Sequence, residues 1–212
     1  RYVLKVANTA VPVQALDAQD AAMLALADLP MRTPVPVASR AGRLREEVDL
    51  EGHTHQVRLL TWVPGAPLTE RKYLAPETAR RVGALAGQVS RALAEFAHPG
   101  AHVELQWDVR RSALVVADLA AALDAPLSSR VQRLSAAAET ALAPVADDLP
   151  RQVLHGDLTD FNVVCDPGVD GRSIPAGLID FGDLVHSWRA GEVAITICAL
   201  LGKDRSAPLR VA

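Results

Sequence analysis

Hydrophobic and polar positions along the chain change period several times, and the changes mark the elements. Arg1–Ala7 (RYVLKVA) is apolar around a single Lys5 and predicts a strand. Val13–Asp28 is rich in Ala and Leu and stops before Pro30, with Leu16, Met23 and Leu26 near one face, which predicts a core-facing helix. Thr33–Arg40 (TPVPVASR) reads as a Pro-rich extended linker. Two strands follow around Glu51-Gly52, one through Val48-Asp49 and one through Val57–Trp62, and the run breaks at Pro64-Gly65-Ala66-Pro67.

From Pro76 the period becomes helical. Val82, Leu85, Ala86, Val89, Leu93 and Phe96 form an apolar stripe, Pro76 suits a first helical turn, and His98-Pro99-Gly100 ends the run. Ser112–Leu123 and Ser129–Val145 predict two more helices. Gln106–Arg111 (QWDVRR) interrupts the alanine-rich texture; Trp107 is expected in the core and Asp108 as a cap for the helix that follows. Near the end, Glu192–Leu201 predicts an apolar helix closing at Gly202. No internal repeat or low-complexity segment is present.

Between these helices lies Val153–Asp183, which carries the chemistry. One apolar run leads into His155-Gly156-Asp157, with Asn162 five residues after Asp157. A second, Ala176–Ile179, ends at Asp180-Phe181-Gly182-Asp183, and the turn-rich stretch after Val163-Val164 predicts a hairpin between them. A carboxylate at the end of a buried strand is costly unless something pairs with it. Two of them with an amide nearby form a Mg²⁺–phosphate site, since Mg²⁺ takes one or two carboxylates plus phosphate oxygens and water.

The order H-x-D-x-x-x-x-N followed by D-F-G resembles the protein-kinase catalytic loop and metal-binding segment. The forms HGDLTDFN and IDFGDLVHSW are similar to the aminoglycoside phosphotransferase and choline kinase superfamily, and within it to hydroxylysine-kinase-like domains. That resemblance implies an α+β, protein-kinase-like two-lobe fold. Residues 1–62 would form a small β-rich lobe, 63–68 a hinge, and 69–212 a larger, mostly helical lobe.

It further implies that Asp157 accepts the substrate hydroxyl proton and that Asn162 and Asp180 hold Mg²⁺ bridging the phosphates of ATP or GTP. Lys5, which by itself reads as a solvent-facing lysine, would pair with the α- and β-phosphates. Asp17 would brace that lysine, with Asp20 as its rival, and backbone groups of Thr61, Trp62 and Val63 would meet the purine edge. Only four residues precede Lys5, so the phosphate-covering glycine-rich loop is missing. The chain is therefore expected to be a fragment, short on its acceptor side as well. A class III aminotransferase module is a possible fused partner, since such domains occur at the front of longer chains of that kind.

The expected activity is transfer of a γ-phosphate to a hydroxyl of an amino-acid-like or amino-alcohol substrate. Protein kinases of the Ser/Thr type carry a lysine two residues past the aspartate; here that position is Thr159, which favours a small acceptor. Asp160 and Asp183 add negative charge suited to a cationic one. An antibiotic-directed aminoglycoside kinase and a non-catalytic nucleotide-binding module are the alternatives.

Composition changes this picture little. The 212 residues carry 22 Lys and Arg against 25 Asp and Glu, a net charge of −3, which suggests neither nucleic acid nor an anionic membrane as partner. No apolar run reaches the ~18–20 residues that span a bilayer. Cys165 and Cys198 lack metal-ligand spacing and are expected as reduced core residues of a cytoplasmic protein. His53 and His55 alternate along the predicted hairpin and, without a third partner, read as solvated rather than as metal ligands.

Overall fold

A computed structural model describes residues 1–70, 74–168 and 172–201. The tip of the predicted hairpin at 169–171 and the helix end at Gly202 lie outside them.

The first half builds an antiparallel sheet with a helix on it. Strands β1 (Tyr2–Val6), β2 (Pro36–Val37), β3 (Glu46–Leu50) and β4 (His53–Thr61) form it, and β4 pairs with all three others. β3 and β4 meet in a two-residue turn in which Glu51 and Gly52 both take positive φ, the geometry that matches strand twist in tight hairpins. Helix α1 (Val13–Leu26) lays Leu16, Met23 and Leu26 into the core as its spacing predicts. The Pro-rich linker is more than a spacer: its Pro36-Val37 pair forms β2 against Leu60 and Leu59.

The second half is helical around two small sheets. Helix α2 (Pro76–Ala92) opens with Pro76 in its first turn and buries Val82, Leu85, Ala86 and Val89. α3 (Ser112–Leu119) and α4 (Ala125–Leu142) bury no residue of their own. One sheet joins β5 (Ala66–Pro67), β7 (Val163–Pro167) and β8 (Ser173–Leu178); the other pairs β6 (Arg151–Leu154) with β9 (Val185–Trp188). Helix α5 (Ala190–Leu201) follows directly. The main core is continuous from Met23 and Leu60 through Val82 and Val89 to Val163, Leu178 and Phe181, so sheet half and helical half share it.

Two expectations about the core are corrected. Trp107 is 66% exposed, because the chain crosses the surface there and only Asp108 turns inward. Cys198 is an exposed thiol of α5, whereas Cys165 is buried as expected. His53 is exposed and His55 contacts the Ala7 carbonyl at 3.0 Å. Among the described residues no three His, Cys, Asp or Glu side chains cluster for a metal, and no helix is long and apolar enough to cross a membrane.

The turn at Pro99–Ala101 is packed against the start of α1. A Cβ on Gly100 would stand 1.7 Å from the Gln14 carbonyl oxygen, and backbone cannot step aside as a side chain can. Gly100→Ala is expected to lower stability by roughly 1–3 kcal/mol or more, the range for overpacking a tight contact. A chemical-denaturation midpoint equal to wild type would show that this contact relaxes.

Candidate active site

β6 delivers His155 to the centre of the molecule. Its side chain is fully buried and meets three partners. Nε2 lies 3.1 Å from the Ile179 carbonyl, Nδ1 accepts the Asp157 N–H at 3.2 Å, and the ring meets Phe181 edge-on at 4.8 Å. A neutral ring protonated on Nε2 satisfies both polar contacts. Burial keeps it neutral, drawing its pKa down to about 4. One imidazole therefore joins the loop after β6 to the loop after β8.

Asn162 makes the second joint. Its Nδ2 donates to the Asp157 carbonyl at 2.9 Å and to Asp157 Oδ2 at 2.6 Å, while its own carbonyl accepts the Ile179 N–H at 2.9 Å. The amide nitrogen is thereby committed to Asp157, leaving Oδ1 as the side chain's remaining polar atom. Asp180, the next residue after Ile179, sits in the left-handed region at φ 61°, and its Oδ1 accepts from Lys5 Nζ at 2.6 Å and from the Gly182 N–H at 3.2 Å. Asp157, Asn162, Asp180 and Lys5 are thus linked by named hydrogen bonds.

Gly156 makes the close approach possible. It has φ 81°, which favours glycine, and a Cβ there would fall 2.1 Å from the Asp183 carbonyl oxygen.

The carboxylates differ in their electrostatics. At Asp157, burial raises the pKa, and nearby Asp180 and Asp160 add to it against the bonds from Asn162 and Thr159. Burial works the same way at Asp180, but the Lys5 hydrogen bond and charge outweigh it, so Asp180 stays below the ordinary carboxylate range. Asp183 is raised by burial and then by Asp157 and Asp180. A strong acid on the lysine side and a better base beside it suit a cation-plus-proton-acceptor arrangement.

A cavity opens beside this unit, lined by Val3, Lys5, Leu60, Val63, Ile179 and Asp180. Its rim is the expected hinge. There Thr61 N–H donates to Val35 O at 2.9 Å, and Trp62 N–H to Arg1 O at 3.1 Å. Val63 N–H has no such bond among the described residues. Of the three hinge residues it alone keeps a free donor. A larger groove of about 810 Å³ lies along α1 against Arg43–Glu47, and of the expected site residues it holds only Asp17 and its rival Asp20.

Asp17 is not brought to Lys5. The Arg45 guanidinium takes it, and Lys5 pairs with Asp180 instead. Its rival Asp20 is also occupied, by Arg58 at 2.7 Å and Arg45 at 3.1 Å. Asp108 caps the turn at Val109–Arg111 through the Arg110 N–H, as expected of a cap, and also binds the Arg110 side chain and Ser187.

The model of the phosphotransferase enzyme family matches residues 1–212. The chain belongs to this family. It is similar to a hydroxylysine kinase of Xenopus laevis, 28% identical over 94% of this chain and 58% of that protein. A hydroxylysine kinase of Danio rerio is 26% identical over 94% and 59%. The chain thus spans a little over half the length of these relatives.

Among solved structures, amicoumacin kinase hAmiN in complex with AMP-PNP, Ca²⁺ and Ami superposes at a TM-score of 0.68, with 17% identity over 94% of this chain and 57% of that one. A microcompartment-associated aminopropanol kinase gives 0.63, with 18% identity over 92% and 62%. The Streptomyces rimosus aminoglycoside phosphotransferase APH(3'')-Id with ADP and streptomycin gives 0.60, with 18% identity over 99% and 76%. These show the fold: the α+β, kinase-like architecture expected from the two motifs.

Glu192, within an otherwise apolar helix, escaped the sequence reading although a lone acid there was the signal. It is fully buried on α5. Its Oε2 accepts the His155 N–H at 2.7 Å, the amides of Gly156 and Leu158 also turn to it, and Oε1 has no partner among the described residues. Burial raises its pKa to about 7.

Two opposed pH dependences follow from these neighbours. His155 is held neutral below its unfolded pKa, so its contribution to stability grows as pH rises from about 4 to 6.5. Glu192 is protonated in the fold where the unfolded chain has already ionised, so its contribution falls as pH rises from 4.5 to about 7. Glu192→Gln removes the falling arm. Its melting temperature is expected to climb with pH between 4.5 and 6.5 more steeply than that of wild type, and parallel melting curves would contradict the assignment.

Proposed function

We propose that this chain is the nucleotide-binding and catalytic part of a small-molecule kinase. It moves the γ-phosphate of ATP or GTP to a hydroxyl of an amino-acid-like or amino-alcohol substrate. The observation that carries the reading is that the Asp157–Asn162 pair meets the Lys5–Asp180 pair through Ile179, and that Lys5, Asp180 and Val63 line one cavity. Residues 1–62 then serve as the nucleotide-side lobe, 63–68 as the hinge and 69–212 as the catalytic lobe.

The donors fit Mg²⁺. Asn162 Oδ1 and an ionised Asp180 offer hard oxygen atoms, and a site with only two protein ligands suits an ion that completes its shell with phosphate and water. When bound there it neutralises charge on the phosphates. The chain's own groups do the rest. Lys5 exchanges Asp180 for phosphate oxygens. Asp157, oriented by Asn162 Nδ2, takes the proton of the attacking hydroxyl as its oxygen bonds to the γ-phosphorus and the bond to the β-phosphate oxygen breaks. The Val63 N–H donates to the purine edge.

The acceptor side supports a cationic substrate. Asp183 is half-buried, has no side-chain hydrogen bond among the described residues, and feels both Asp157 and Asp180. The hydroxylysine kinases and the aminopropanol kinase among the similar proteins are named for amine-bearing substrates, which agrees. Cys165 and Cys198, neither in a disulfide among the described residues, and a nucleotide donor suit a cytoplasmic enzyme. The likeness to hydroxylysine-kinase-like domains also supports an aminotransferase module fused in the parent protein.

Phosphate transfer from ATP and GTP to 5-hydroxylysine, 1-amino-2-propanol, homoserine, choline and an aminoglycoside tests the reading. Asp157→Asn is expected to slow transfer about 10²–10⁴-fold, the usual worth of a general base, with Mg²⁺–nucleotide affinity kept. Asp180→Asn is expected to weaken the Mg²⁺-dependent part of nucleotide binding. Transfer by Asp157→Asn at the wild-type rate would remove the base assignment. Transfer to the aminoglycoside alone would move the enzyme to antibiotic modification.

A further inference from the structure

The residue that ties α1 to the metal-bearing segment is neither the lysine nor an acid. Gln19 is 4% exposed on the inner face of α1. Its Oε1 accepts from Arg58 Nη2, and its Nε2 donates to the Gly182 carbonyl at 3.2 Å. Arg58 carries only donors, so it dictates which end of the amide faces it and turns the NH₂ toward Gly182. Arg58 is itself fixed by Asp20 at 2.7 Å, and Asp20 by Arg45. Arg58 stands directly across β1 and β4 from Lys5. Two neighbouring cations therefore hold different parts of the same segment.

The segment needs holding. Asp180 occupies the left-handed region without being glycine, a conformation that persists only when its surroundings impose it. Two side-chain hydrogen bonds reach residues 179–184 from residues 1–62 among the described residues: Lys5 to Asp180 and Gln19 to Gly182. The first must open when Lys5 turns to phosphate and Asp180 to the cation. The second involves neither ligand and can persist.

We propose that Gln19, oriented by Arg58, is a positioning residue that holds the Asp180 segment against the sheet while Lys5 and Asp180 are engaged with nucleotide and metal. This rests on the kinase reading above for its function, though not for the contact itself. An amide is what the position requires: one acceptor for the guanidinium and one donor for the carbonyl. In Gln19→Glu the Arg58 bond survives and a carboxylate oxygen faces the Gly182 oxygen. In Gln19→Met both bonds are lost at nearly constant volume.

The experiment combines Mg²⁺ titration of ATP binding, followed by calorimetry, with amide hydrogen exchange in the nucleotide-free protein, for wild type and both variants. Both variants are expected to raise the Mg²⁺ concentration at half-saturation about fivefold, the worth of one such hydrogen bond, with metal-free ATP affinity unchanged. Exchange at Phe181–Leu184 is expected to accelerate while β1 and β4 hold their protection. Unchanged exchange at Phe181–Leu184 in both variants overturns the brace. Faster exchange with an unmoved Mg²⁺ half-saturation, or an equal loss of metal-free affinity, overturns its role in metal binding. A wild-type protein that binds no Mg²⁺–ATP overturns the kinase reading instead, and the exchange data then decide the brace alone.

Discussion

The arrangement depends on a buried neutral imidazole. His155 has no access to water, so each polar atom must find a fixed partner or lose solvation uncompensated. The partners it finds are the Asp157 N–H on one side and the Ile179 carbonyl on the other. Those two residues belong to loops that follow different strands in different sheets. Satisfying one ring therefore sets the separation of the two loops, and with it the relation of Asp157 to Asp180. Glu192 fixes the same loop from the opposite side by accepting the His155 amide, and its other oxygen has no partner among the described residues.

Around that hub, charge is distributed unevenly. Asp180 raises the proton affinity of both Asp157 and Asp183, and Asp157 raises that of Asp183, while Lys5 holds Asp180 itself low. The Lys5–Asp180 pair is partly exposed and its contribution to stability is modest for that reason. Weakness is useful here. On the proposed reading this pair would open to admit phosphate and cation, which a partly exposed pair allows more readily than one sealed in a core. The stable ion pairs lie one layer away, where Arg58 and Asp20 are both buried.

The motifs and the short-range elements were legible in the sequence because their signals are local. Strand runs ending at Asp157 and Asp180, the apolar stripe of α2 and the Glu51-Gly52 turn each depend on residues a few positions apart. What escaped is side-chain pairing across long separations. Nothing near Asp17 announces that Arg45 will claim it, and nothing near Trp107 shows that Asp108 will be drawn inward by Arg110 and Ser187 while the indole stays outside. The β6–β9 pairing was hidden for a related reason: β9 follows the DFGD segment directly, with no turn signal of its own. Glu192 was concealed by its helix, whose apolar character dominated the reading.

The misplaced Asp17 has a consequence for how α1 is held. A helix anchored to the sheet through Lys5 would lose its anchor if, as proposed, that lysine turned to a ligand. Here Asp20 receives Arg58 on one oxygen and Arg45 on the other, so a buried carboxylate has both sides compensated, the condition under which a buried ion pair is tolerable. The helix is secured by Arg58 and Arg45 rather than by Lys5. Lys5 carries no part of that anchorage, and on the proposed reading it could leave Asp180 without disturbing the seat of α1.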